Sequence, residues 1–293
     1  MATPAGYQAS TAPAGQAPVR PRPALFRALG SREPPETIDL DGEEFRRTEI
    51  LKHDSWAASA IYASASRVAF CKFNREQPVL ILPMEWLGRR LGSREQWFMD
   101  RLAGIEGIPV SLGPIVAAGR PIPNAVSHLY IEGQALGEGQ WVDDSFFPRL
   151  ERIVAQMHAR GVAHVDLNKR ENILVDSLGR PHLLDYQISW ALPPQSRLAS
   201  LLLGWLTAIL QQCDSYHLLK HRCRHRRDQL PVSDAEIENL RPWWIRLHRL
   251  VGVPFRTCRR ALLTALGIRS RSGRSSSEVF PELAHRRVPA AGG

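Results

Sequence analysis

The chain has 293 residues, 44% of them hydrophobic, and a formal net charge of +9 from 38 Lys and Arg against 29 Asp and Glu. That size allows one large domain or two lobes sharing a cleft, and the positive balance favours nucleotide phosphates, nucleic acid or an anionic membrane as partners. Four scattered cysteines, Cys71, Cys213, Cys223 and Cys258, exclude a disulfide framework and fit a reducing compartment.

In chain order, residues 1–36 are expected to be a disordered tail, since Pro is frequent and apolar bulk too scarce to offset chain entropy. No apolar run lies within residues 1–24, so no signal peptide is expected. A first lobe is expected over 37–133. Its strands are read at 47–51 (RTEIL), 59–64 (SAIYAS), 67–73 (RVAFCKF) and 79–82 (VLIL), separated by small polar turns. Helical spacing follows over 90–103, at Leu91, Trp97, Phe98 and Leu102, with Gly104 and Gly107 as stop signals. Another strand is read at 126–131, and a hinge near Glu132–Gly139.

A second lobe is expected over 134–267. Phe147, Leu150, Ile153, Val154 and Met157 mark a helix that Gly161 ends. Two short strands, 172–176 and 181–185, then flank a turn at Leu178-Gly179. The rest of this lobe reads as mostly helical. The apolar run Leu198–Leu210 is read as a buried helix, because 13 residues fall short of a bilayer span. Residues 268–293 are expected to be a second disordered tail. The localisation expected is cytoplasmic, peripheral to the inner face of the membrane at most.

The chemistry concentrates in His164–Gln187, HVDLNKRENILVDSLGRPHLLDYQ. A helix delivers the chain to His-Val-Asp-Leu, an Asn opens the first strand, and the second strand ends in Asp185-Tyr186-Gln187. Two carboxylates and a carboxamide are thus expected at the ends of paired strands. Phosphoryl transfer needs such a set: one carboxylate to orient the attacking hydroxyl and take its proton, the others as hard oxygen ligands for magnesium.

The stretch resembles the catalytic and metal-binding loops of the protein kinase superfamily, H-R-D-L-x-x-x-N and D-F-G. Its wording is closer to bacterial lipopolysaccharide-core (Kdo) kinases, an impression to which CDSYHLLKHRCRHRR and Pro231 add. The resemblance implies an α+β, bilobal protein-kinase-like fold with a strand-rich N-lobe and a helical C-lobe, and an ATP-dependent kinase using ATP and Mg2+. Asp166 would be the catalytic base and His164 the buttress of its loop. Lys169 would reach the γ-phosphate, Asn172 and Asp185 would bind magnesium, and Tyr186 would pack against the first-lobe helix. Lys72 would hold the α- and β-phosphates with Glu95 as its partner, Glu85 and Glu106 being alternatives.

Three departures from the family pattern stand out. Val165 replaces the Arg that receives an activation-loop phosphate, and Gln187 replaces Gly. Asn172 follows Asp166 by six residues rather than five, so either the loop bulges or Glu171 takes the metal role. The phosphate-covering loop, between Leu51 and Ile61, lacks glycine, and its small residues Ser55, Ala57, Ala58 and Ser59 are the candidates for close approach to phosphate.

The acceptor class expected first is a sugar of a cell-envelope glycolipid, with a protein Ser or Thr hydroxyl second. A nucleotide-binding pseudokinase is the rival. The basic run Lys220–Arg227, with Trp205, Trp243 and Trp244 as neighbours, reads either as a solvated helix face or as a contact for an anionic membrane. Nucleic acid is disfavoured, since no binding motif accompanies the charge. Cys213, His217 and His221 recur every four residues and raise a zinc site against a plain basic helix, which the missing C-x-x-C pair favours.

Overall fold

The computed structural model describes residues 23–79, 81–137, 140–192 and 197–230, with a few isolated positions beyond 230. Residues 1–22, the tail 268–293, and Trp243 and Trp244 lie outside the described residues. The protein is of the α+β class. Its described residues form two compact units, one of residues up to 93 with 112–130, the other of 94–111 with the residues from 131 onward.

The first unit is an antiparallel sheet of seven strands: β1 (Thr37–Leu40), β2 (Glu43–His53), β3 (Ala57–Ala63), β4 (Val68–Asn74), β5 (Val116–Ala117), β6 (Arg120–Pro121) and β7 (Ala125–Leu129). Their order is β6-β5-β1-β2-β3-β4-β7. Side chains alternate across a strand with period two. Ala69, Cys71 and Phe73 of β4 therefore join Ala58, Ala60 and Tyr62 of β3 in one core, with Ile38, Leu40, Phe45 and Ile115. Each large side chain in it contributes roughly 1.5–3 kcal/mol by burial.

Residues 24–36, expected in a disordered tail, are packed. Ala24–Phe26 form a 3-10 turn, and Ala28 and Leu29 are buried. The cause is Arg75, whose buried guanidinium gathers the carbonyls of Leu25, Ser55 and Pro78 at 2.9, 2.6 and 3.1 Å. Tyr62 adds a bond from its hydroxyl to the Pro35 carbonyl at 2.7 Å. Of the strand read at 79–82 the structure shows only a lone antiparallel bridge between Val79 and Leu82. Pro78 and Pro83 bracket it, and proline has no N–H to donate to a ladder. Helix α1 (Glu85–Arg101) starts five residues earlier than its apolar spacing suggests.

In the second unit β8 (Gly133–Ala135) is followed by α2 (Phe146–Ala159), β9 (Val162–Ala163), β10 (Ile173–Asp176), β11 (Pro181–Leu183), β12 (Trp190–Ala191) and α3 (Arg197–His225). Strands pair as β11-β10-β8 and β12-β9. The expected hinge thus contains a strand. Gly133 permits it, because a Cβ there would lie 2.4 Å from the Val175 carbonyl oxygen. Helix α2 buries Phe146, Phe147, Leu150, Ile153, Val154 and Met157.

Among the described residues no helix is long and apolar enough to cross a membrane. The run read as a buried helix at 198–210 is, from Leu203 on, only partly covered, and Trp205 is exposed. The basic run is not a uniformly solvated face either. His221, Cys223 and Arg226 are buried, and Arg222 donates to Glu151 at 2.7 Å. Arg226 binds Asp144, Asp228 (2.6 Å) and the Val142 carbonyl (3.1 Å).

Candidate functional site

The β10–β11 hairpin organises the site. Ile173 faces Leu183, Leu174 faces His182 and Val175 faces Pro181. Leu184 N–H donates to the Asn172 carbonyl at 2.9 Å, so Asn172 and Asp185 leave the same end of the hairpin. Asp185 has φ +64°, a left-handed conformation that Asp tolerates better than most residues and that turns the chain sharply there.

Asp166 sits at that end as well. Its Oδ2 accepts from Lys169 Nζ at 2.5 Å and from Asn172 Nδ2 at 3.2 Å. Asn172 Nδ2 also donates to the Asp166 carbonyl at 3.0 Å. The six-residue spacing is absorbed by a 3-10 turn, Arg170–Asn172, which turns Asn172 inward and leaves Glu171 exposed. Two consequences follow from where these bonds fall. Asp166 Oδ1 has no bond from the described residues and remains an acceptor. The Asn172 amide nitrogen faces Asp166, so its Oδ1 points the other way as a hard donor.

The backbone of this loop is held from α3. Buried Asp214 accepts from His164 N–H at 2.6 Å with Oδ2 and from Val165 N–H at 2.9 Å with Oδ1. Val165 is β-branched yet has φ +72°, a strained conformation for such a residue. One α3 stripe does the holding, at spacings of four, three and seven. Thr207 accepts from Trp190 Nε1 at 2.8 Å, Gln211 donates to the His158 carbonyl at 3.0 Å, and His221 bonds the Leu167 carbonyl at 2.8 Å.

His221 is therefore tied to the loop rather than free as a zinc ligand. Among the described residues no group of three or more His, Cys, Asp or Glu is placed to hold a metal ion. Burial, partly offset by the bond to Leu167, pushes His221 down to about 4.

His164 is itself buried, with Nε2 on the Leu184 carbonyl at 2.9 Å and its ring 5.2 Å from that of Tyr186. Tyr186 is buried and donates to the Leu183 carbonyl at 2.9 Å. Burial, and then the Glu95 carboxylate, raise the pKa of its hydroxyl. Glu95 lies in the part of α1 that belongs to the second unit and is buried. Arg94, beside it, donates to the Ser189 carbonyl. Lys72 belongs to the first unit, in the middle of β4, where Ser59 of β3 and Val126 of β7 flank it.

The loop expected between Leu51 and Ile61 shrinks to Asp54–Trp56. Asp54 Oδ1 closes it by accepting from the N–H groups of Trp56 and Ala57 at 2.7 and 2.9 Å. Ala57, Ala58 and Ser59 are buried strand residues, Ala58 in the core, and Ser55 donates its hydroxyl to the Phe26 carbonyl at 3.0 Å. As for magnesium, a carboxylate and an outward carboxamide oxygen are the right donor chemistry for a hard cation, so Asp185 and Asn172 fit.

Asp214 is the residue that sequence reading missed. The signal lay in the polar positions Thr207, Gln211, Asp214, His221 and His225, which share one face of the helix. A comparison with protein-family models gives no match, and one with curated protein sequences gives none either.

Proposed function

We propose that this chain is an ATP-dependent phosphotransferase with a bilobal protein-kinase-like fold. It would move the γ-phosphate to a hydroxyl, a sugar of a cell-envelope glycolipid being the acceptor class. The observation that carries the reading is the gathering of Asp166, Lys169, Asn172 and the Asp185 turn at one end of a hairpin, on a loop held by Asp214.

In this reading Asp166 Oδ1 takes the acceptor's proton as the hydroxyl oxygen bonds to the γ-phosphorus. The bond from that phosphorus to the β,γ-bridging oxygen breaks, and ADP leaves with its electrons. Lys169 and Asn172 hold Oδ2, which fixes the direction of Oδ1. Asn172 Oδ1 and the Asp185 carboxylate would hold Mg2+, which neutralises phosphate charge. The roles of Lys72 and Glu95 rest on the family resemblance alone.

The small acceptor is supported by chain length. Only residues 186–196 separate Asp185 from α3, and Trp190–Ala191 are already paired with β9. That leaves little chain for a peptide platform. Use of ATP fits a cytoplasmic site at the inner face of the membrane. Contact with an anionic surface would use the exposed Arg224, since Arg222 and Arg226 are engaged by acidic side chains.

The test supplies envelope glycolipid and a generic protein together with γ-labelled ATP and magnesium. Glycolipid labelling is expected, with turnover at least ~100-fold lower in Asp166→Asn and ATP binding kept. Label on protein Ser or Thr alone would overturn the acceptor class. Undiminished turnover in Asp166→Asn, or no transfer by the parent chain, would overturn the enzyme reading in favour of another base or a pseudokinase.

A further inference from the structure

The second unit contains a cavity of about 290 Å³ whose lining includes Arg149, Arg152, Gln156, Arg180 and His182. It lies toward the turn of the β10–β11 hairpin, whereas Asp166, Asn172 and Asp185 gather at the opposite end.

The sequence builds its walls. Arg149, Arg152 and Gln156 fall at i, i+3 and i+7 of α2, so they share a face beside buried Ile153. A third wall is the loop Gly104–Gly107. Gly107 has φ +88°, and a Cβ there would lie 2.3 Å from Ile153 Cδ1 and 2.8 Å from the Pro181 carbonyl oxygen. Glycine alone lets the loop close against α2 and β11, and Leu183 N–H ties it down by donating to the Gly107 carbonyl at 2.9 Å.

Charge gives the cavity its character. Asp176 Oδ2 accepts from Arg180 Nε at 2.8 Å and pairs with His182 Nε2 at 3.0 Å. Burial opposes ionisation of Asp176, but the bonds from His182 and Arg180 outweigh it and hold its carboxyl below the usual range. Arg180 is thus aimed by its Nε, while its two terminal nitrogens bond nothing among the described residues. Arg149 and Arg152 are exposed and make no ion pair there. Three guanidiniums line the space against one lining carboxylate, Glu106. Asp143, already bonded by Ser145, lies only within electrostatic range of Arg149.

Like charges brought together this way are disfavoured until an anion joins them. The guanidinium fork matches phosphate oxygens two at a time, and a tetrahedral dianion offers enough oxygens for several forks at once. Gln156 adds a neutral donor. The volume suits a phosphate on a small organic group.

We propose that the cavity between α2, the Gly104–Gly107 loop and the start of β11 is a binding site for a phosphate monoester, separate from the proposed catalytic loop.

Titration calorimetry of the full chain at constant ionic strength tests this, with inorganic phosphate and glycerol phosphate as probes and citrate as control. Saturable one-to-one phosphate binding is expected. It should weaken at least ~10-fold in Arg149→Gln and in Arg152→Gln, whose side chains make no hydrogen bond or ion pair among the described residues, and persist in Asp185→Ala. Sedimentation with phosphatidic acid vesicles distinguishes a lipid headgroup from a free phosphate compound: Arg152-dependent binding in either arm supports the site. Phosphate binding that is absent in both arms, unchanged in the Arg149→Gln/Arg152→Gln double variant, or lost in Asp185→Ala overturns the proposal. Saturable binding of citrate but not of phosphate overturns it too.

Discussion

Replacing Asp214 by Ala should loosen the loop that carries Asp166. The carboxylate accepts from two backbone N–H groups, those of His164 at 2.6 Å and Val165 at 2.9 Å, and its own exposure is 0%. Without it both donors lose their acceptor, that of His164 in a buried position and that of Val165 in a half-buried one. A buried orphaned donor costs about 1–3 kcal/mol, so His164 alone accounts for about that much and half-buried Val165 adds less, against a total stability of about 5–15 kcal/mol. The left-handed conformation of Val165, itself worth about 1–3 kcal/mol of strain, would lose the bond that holds it. Asp214→Asn should fall between, since an amide keeps one acceptor oxygen and turns its NH2 toward the other donor. Urea unfolding reads the effect as a lower midpoint at unchanged slope. Ser215→Ala is the control, as that exposed hydroxyl bonds, among the described residues, only the Gln211 carbonyl of its own helix. Amide hydrogen exchange at His164 and Val165 should accelerate in Asp214→Ala. Stability within about 0.5 kcal/mol of the parent, the level of an ordinary surface change, would refute the argument.

Three further outcomes are expected. In the proposed reading, Asp185→Ala should abolish the magnesium dependence of nucleotide binding, because the hard cation would lose its carboxylate ligand; magnesium titration of ATP-analogue binding checks it, and a preserved dependence would place the ion elsewhere. His221 is held from 6.5 down to about 4 in the fold, so the unfolded chain binds the extra proton first. Stability should therefore decline as pH falls from about 6.5 to about 4, by about 3 kcal/mol at about 1.4 kcal/mol per pH unit. His221→Gln, which can still donate to Leu167, should flatten that decline in unfolding curves run at several pH values. Arg226→Gln should lower the thermal midpoint and Arg224→Gln should not, since Arg226 binds Asp144, Asp228 and Val142 while Arg224 is exposed.

The local parts of this fold were legible in the chain. Alternation over 67–73 marks β4, and spacings of three and four over 147–157 mark α2, because neighbouring residues decide which face meets a core. Asp166, Asn172 and Asp185 could be read as one group because a single hairpin joins them across 20 residues. Reading failed where a side chain closes the structure, whether from far along the chain or from within a turn. The 24–36 segment looked disordered by composition, yet Arg75 and Tyr62 anchor it from strand positions far along the chain. The glycine-free loop looked longer than it is, because the closure of the turn by Asp54 is a matter of side-chain geometry.

By itself, then, the sequence determines the class of secondary structure, the α2–loop–hairpin unit and the residues that share its end, all set by local periodicity and turn chemistry. Tertiary structure alone decides that Asp214, 48 residues beyond Asp166, grips the loop backbone and that Arg226 is an internal anchor and not free charge. The physical reason is common to both. Buried polar groups must find partners, and which partner lies within hydrogen-bond reach is settled only when elements distant in sequence pack together.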